Sequence, residues 1–119
     1  MVNRSKIKGT RGESELVGYL RGFWPNAERR ALAGGKDKGD VINTPVVWEM
    51  KNARRFQLSA WMDETEQERV NAGVDIGVLV IKRVQKNIDK AYAIVPLWQM
   101  AALLKERDEQ RSRISMEGI

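Results

Sequence analysis

The sequence predicts an α/β domain. Three stretches with apolar residues at helical spacing alternate with short runs rich in Val, Ile and Trp. One of these runs, Val74 to Lys82, is apolar almost throughout, as in a strand covered on both faces. The order is helix, two or three strands, helix, strand, strand, helix. No internal repeat and no linker divides the 119 residues, a length suited to one core.

The first helix is expected from about Thr10 to Trp24, stopping before Pro25 because the residue ahead of a proline avoids the helical region. Leu16, Val17, Leu20, Phe23 and Trp24 form its apolar stripe. At ~100° per residue Glu13 falls inside that stripe and Glu15 outside it. A carboxylate facing a core is costly unless paired or bound to a cation. Ahead of this helix, residues 1–9 read as a flexible basic arm, and residues 1–12 carry Arg4, Lys6, Lys8 and Arg11 with no acid.

Residues 28–33 suit a short strand, and Gly34 to Gly39 a flexible basic loop. That loop lacks the spacing and the Gly-Lys-Ser/Thr ending of a Walker A motif. Asp40 to Ile42 and Val46 to Lys51 read as two strands around a turn at Asn43-Thr44-Pro45. Alternation puts Val46, Trp48 and Met50 on one face and Val47, Glu49 and Lys51 on the other. A hairpin centred on Thr44-Pro45 sets Asp40 opposite Glu49, with Lys51 next along the same side.

The second helix is expected from Leu58 to Ala72. Its stripe is Leu58, Trp61, Met62 and Thr65, with Asp63, Glu64, Glu66 and Glu68 largely outside it and Gly73 ending it. Ala91 to Val95 suits a last strand. Pro96 opens a third helix with Leu97, Met100, Ala101, Leu103 and Leu104 on its apolar side, and residues 106–119 form a charged extension. Trp24, Trp48 and Trp61 are expected in the core, and Trp98 in the core or a dimer contact.

Composition narrows the chemistry. The chain is 42% hydrophobic and 31% charged, the balance of an ordinary globular protein. No apolar run approaches the ~20 residues that span a bilayer, and the first residues lack a signal peptide's apolar core, so a cytoplasmic protein is expected. The net charge is +5 and the pI about 9.7, which favours an anionic partner, nucleic acid first. There is no Cys and no His. Disulfides, thiolate or imidazole metal sites, cysteine nucleophiles and histidine bases are therefore excluded. Catalysis must rest on carboxylates, Lys, Tyr, Ser or Thr, and a metal must accept oxygen ligands, as Mg2+ and Mn2+ do.

Asp40, Glu49, Lys51 and Glu13 make a sufficient set for metal-assisted phosphodiester hydrolysis. Two or three carboxylates can share a hard cation, with the Met50 carbonyl a possible further ligand. Lys51 can orient water or offset negative charge in the transition state. A bare D…ExK pattern is equally that of a surface ion pair.

The segments "KGTRGESELVGYL", "ERRALAGGKDKGDV", "VVWEMKN" and "FQLSAWMDETEQE" together resemble the Holliday-junction resolvases of the archaeal type and their phage relatives. These belong to the PD-(D/E)xK, restriction-endonuclease-like nucleases. The resemblance runs from about Lys8 to Lys82. It implies an αβββαβ core with a mixed central sheet flanked by helices, a magnesium-dependent endonuclease, and a homodimer cutting opposing strands of a four-way DNA junction. It places the helix glutamate at Glu13, the metal aspartate at Asp40, the ExK pair at Glu49 and Lys51, and an assisting polar residue at Gln57. Gly39 stands where many members have Pro, a departure expected to alter backbone stiffness alone. Lys8, Arg11, Arg29, Arg30, Lys36, Lys38, Arg54 and Arg55 flank these segments and are the candidate DNA contacts. Related nucleases acting on flaps, nicks, single strands or duplex, and a basic DNA-binding module without catalysis, are the alternatives.

Overall fold

In the computed structural model, residues 4–31 and 35–117 are described, with side chains from Thr10 onward. Helix α1 spans Arg4–Leu20, so the backbone of residues 4–9 is helical and does not form the flexible arm expected there. Arg and Lys are good helix formers, and no proline interrupts them. The helix ends four residues sooner than expected. Gly22 N–H and Phe23 N–H donate to the carbonyls three residues back, a tightened last turn that leaves Phe23 62% exposed instead of in the stripe.

Strand β1 is Glu28–Arg29, shorter than expected, and positions 32–34 lie outside the described residues. Strand β2, Val41–Ile42, pairs antiparallel with β1. Strand β3, Val47–Lys51, belongs to a second sheet. Helix α2 runs Leu58–Ala72 and closes on Gly73 in the left-handed conformation, as expected. Strand β4, Gly77–Ile81, is buried at all five positions. A single 3-10 turn at Ile88–Lys90 leads into β5, Tyr92–Ile94, and α3 spans Leu97–Glu117.

The three-stranded sheet is mixed, in the order β3-β4-β5, with β3 parallel to β4 and β4 antiparallel to β5. The Asp40-to-Lys51 hairpin does not form. Instead β2 takes β1 as its ladder partner and β3 takes β4, through a crossover containing α2, which local turn chemistry cannot signal. Asn43, at φ 65, and the Thr44 Oγ1–Val46 carbonyl hydrogen bond of 2.9 Å shape the connection between β2 and β3.

Helices α1 and α2 cover opposite faces of this sheet. On the α1 side, Leu16, Val17 and Leu20 pack with Val41, Met50, Val78 and Val80, and Trp24 and Trp48 close the edge of that core. The rings of Trp24 and Trp48 lie 6.0 Å apart. Gly12 admits β3 closely, since a Cβ there would lie 3.0 Å from the Met50 methyl carbon. On the α2 side lie Val47, Leu79 and Ile81, with Thr65 fully buried. Strand alternation in β3 therefore sends Trp48 and Met50 towards α1, and Val47, Glu49 and Lys51 towards α2.

Helix α3 departs from expectation. Leu97 is 83% exposed, and Met100 and Leu104 are also exposed, so its apolar side is largely uncovered, while Gln99 is the buried position. The helix continues to Glu117, and the molecule measures 65 × 30 × 28 Å.

Candidate metal and catalytic site

Asp40 stands just before β2 and crosses to β3 with both its backbone and its side chain. Its N–H donates to the Trp48 carbonyl at 2.8 Å, and its Oδ2 accepts the Met50 N–H at 2.7 Å. These two bonds bracket Glu49. The carboxylate thus replaces a backbone carbonyl along the free edge of β3, and the two acids meet without a hairpin.

The direction of the β3 backbone follows from the ladder. Val47 N–H and the Lys51 carbonyl engage the β4 side, whereas Met50 N–H and the Trp48 carbonyl engage Asp40. Peptide groups alternate along a strand, so the Met50 carbonyl also faces the Asp40 edge.

Glu49 and Lys51 project towards α2. Glu49 is 5% exposed, and its Oε1 lies 3.7 Å from Lys51 Nζ. Lys51 Nζ also pairs with Glu64 Oε2 at 3.2 Å and sits 5.9 Å from the centre of the Trp61 ring. Facing them is Glu68, 1% exposed, an acid expected outside the apolar stripe. One carboxylate oxygen from each of Asp37, Glu49, Glu64 and Glu68 lies within 4.8 Å of the others. Sequence reasoning missed Asp37, Glu64 and Glu68 as site residues. For Glu68 a signal existed, because it follows Thr65 by three and Trp61 by seven, the spacing of one helix face.

Burial and mutual repulsion keep these acids protonated well above their usual range. Burial, then the Glu49 charge, pushes Asp40 up to about 8, against the pull of the Met50 N–H. Burial, then the neighbouring Glu68, pushes Glu49 up to about 9, with Lys51 opposing. Glu68 rises to about 7, chiefly through burial. Burial alone would lower Lys51, but Glu49 and Glu64 outweigh it and hold the ammonium charged.

Among the described residues, Glu49 Oε2 and both oxygens of Glu68 are buried without a hydrogen-bond partner. Buried carboxylate oxygens are rarely left so. They can be neutralised by protons or by a cation with oxygen ligands, and the all-carboxylate donor set suits Mg2+ or Mn2+.

The other candidates are placed as follows. Glu13 is paired with Arg29 at 2.9 Å and is a quarter exposed; its charge adds to the upward push on Asp40. Glu15, expected on the opposite side of α1, pairs with Lys82. Arg30 Nε donates to the Gly39 carbonyl at 3.1 Å, holding the loop ahead of Asp40. Gln57 is exposed, and its carbonyl accepts the Trp61 N–H at the start of α2. Arg11, Lys36, Lys38, Arg54 and Arg55 are exposed, and the side chain of Lys8 lies outside the described residues.

The effect expected of Gly39 is corrected. Its φ is +94, and a Cβ there would lie 2.9 Å from Val47 Cγ1 and 3.0 Å from the Trp48 carbonyl oxygen. Proline, fixed near φ −65°, cannot take this conformation. Gly39 is a packing requirement, which lets the segment carrying Asp40 lie against β3. Asp37 Oδ1 accepts the Gly39 N–H at 2.9 Å.

No known protein family matches the chain, and neither a curated protein nor a solved structure is significantly similar to it. Among the described residues, no helix is long and apolar enough to cross a membrane.

Proposed function

We propose that this chain is a magnesium-dependent endonuclease of the PD-(D/E)xK, restriction-endonuclease-like type that acts on branched DNA, with four-way junctions its main substrate. The observation that carries this reading is that Asp40 accepts the Met50 N–H beside Glu49, while Glu49 shares a carboxylate cluster with Asp37, Glu64 and Glu68 and has Lys51 next along the same face. The element order α1-β1-β2-β3-α2-β4 and the mixed sheet support the αβββαβ core.

Asp40 and Glu49 would hold the cation, with the Met50 carbonyl on the Asp40 edge and Glu68 in one carboxylate cluster with Glu49, Glu64 and Asp37. Bound Mg2+ or Mn2+ supplies Lewis acidity, which acidifies water and offsets charge on the scissile phosphate. Lys51, anchored by Glu49 and Glu64, keeps its charge and can orient the attacking water or the phosphate oxygen. Glu13 acts on Asp40 through its charge, and Arg29 restrains it. The exposed Arg11, Lys36, Lys38, Arg54 and Arg55 grip the phosphate backbone around the site. The protein works as a homodimer placing two such sites on opposing strands. The uncovered Leu97, Trp98, Met100 and Leu104 of α3 supply an apolar face for that association.

A cleavage panel tests this reading. Synthetic four-way junction, flap, nicked duplex, linear duplex and single strand are incubated with the protein in magnesium or in EDTA. Preferential, magnesium-dependent cutting of the junction is expected. Equal cutting of linear duplex would leave a nuclease but remove junction selectivity, and binding without any cutting would leave a DNA-binding module.

A further inference from the structure

Beyond the end of β3 lies a second feature that the acid cluster does not use. After Lys51 the chain passes through Ala53 and Arg54 to Phe56, while the end of β4 leads into Arg83 and Lys86. Together with Tyr92 of β5 these line a cleft of about 300 Å³. That is the small end of the range for ligand clefts, ~300–1,000 Å³, and suits a single nucleotide and not a duplex.

The chemistry of the cleft is mixed in a specific way. Phe56 and Tyr92 are 48% and 45% exposed, and their rings stand edge to face at 6.5 Å. The Arg83 guanidinium lies 5.0 Å from the centre of the Tyr92 ring, and Arg54 and Lys86 add positive charge to the wall. Exposed aromatic rings beside cations are the features that bind an unpaired nucleotide. The base stacks on the rings, and the phosphates meet the cations.

The cleft also connects to the catalytic candidates. Lys51 lies over Trp61, the Trp61 ring is 6.1 Å from Phe56, and Phe56 meets Tyr92. The Lys51 carbonyl accepts the Lys82 N–H at 3.0 Å, so the end of β3 is tied to the segment after β4 that carries Arg83.

We propose that the Phe56–Tyr92 cleft, walled by Arg54, Arg83 and Lys86, binds an unpaired nucleotide of a DNA strand beside the Lys51 end of the acid site. This deepens the nuclease reading and rests on it for the identity of the substrate, because a flap, or a junction whose central pairs have opened, offers unpaired bases that intact duplex does not.

The test is binding of fluorescein-labelled oligothymidylate and of blunt duplex to the full chain in EDTA, read by anisotropy. Phe56→Ala and Tyr92→Ala are each expected to weaken oligothymidylate binding about tenfold or more, and duplex binding by no more than about twofold. Tyr92→Phe is expected to keep wild-type binding, since the ring face and not the hydroxyl carries the stack. Both side chains are about half exposed, and thermal melts confirm that the variants remain folded. No oligothymidylate binding by the wild type, unchanged binding in both alanine variants, or equal losses for single strand and duplex would each overturn the proposal. The junction panel separates the two readings. A wild type that cuts junctions while Tyr92→Ala leaves oligothymidylate binding intact loses the cleft and keeps the nuclease. A wild type that cuts nothing but binds oligothymidylate through Tyr92 keeps the cleft and loses the nuclease.

Discussion

The Met50 N–H donates to Asp40 Oδ2 at 2.7 Å, and this bond fixes an acid from one strand segment against the backbone of another. An Asn side chain can accept the same N–H through its amide oxygen. Asp40→Asn is therefore expected to fold normally while losing DNA cleavage by on the order of 10²-fold or more. Circular dichroism melts alongside junction-cleavage rates check both halves, and an Asp40→Asn protein that cuts at the wild-type rate contradicts the assignment.

Gly39→Ala is expected to destabilise the fold by ~1–3 kcal/mol, because it adds a Cβ at φ +94 within 3.0 Å of the Trp48 carbonyl oxygen. Urea titration measures this as a lower midpoint. A midpoint equal to wild type would mean that the Gly39 contact is not tight.

Stability in EDTA is expected to depend on pH through the buried acids. Asp40, Glu49 and Glu68 sit near 8, 9 and 7 in the folded chain, against about 4 when unfolded. Their folded values are raised, so the native state binds more protons between these limits. The stability they contribute is fully present below about pH 4 and falls as pH rises towards about 9. Magnesium, by binding the ionised acids, is expected to offset the loss at the alkaline end. Melting temperatures across that range, with EDTA and with magnesium, test the pattern. A rising curve in EDTA would contradict the protonated cluster.

Glu68→Gln removes the most buried of the acids while keeping its volume. In EDTA near pH 8 to 9 the variant is expected to melt higher than wild type, since an unpaired buried charge is gone. Its magnesium requirement for cleavage is expected to rise by roughly 10–100-fold. A magnesium titration of cutting rate reads this, and an unchanged requirement would leave Glu68 as a structural acid only.

The legible parts of this molecule were those set by local period. Alternation in β3 placed Glu49 and Lys51 on one face, and the span of α2, with its closing Gly73, followed from helical spacing and a left-handed glycine. The strand partners of β2 and β3 are not legible locally, because partner choice in a sheet is non-local. Val47 to Lys51 found its ladder in Gly77 to Ile81, across the whole of α2. Charge sets Glu68 apart from an apolar stripe, although helical spacing puts it on the Trp61–Thr65 face. The exposure of Leu97 and Met100 was illegible because periodicity reports an apolar face and not what covers it.

Asp40, Glu49 and Lys51 are proposed to form a metal-dependent phosphodiesterase site. Its most direct test is the rate at which wild type and Glu49→Gln cut a labelled four-way junction in magnesium and in EDTA. Cutting by the wild type in magnesium, none in EDTA, and a loss on the order of 10²-fold or more in Glu49→Gln are expected. Undiminished cutting by Glu49→Gln, cutting that survives EDTA, or no cutting by the wild type in magnesium would contradict it.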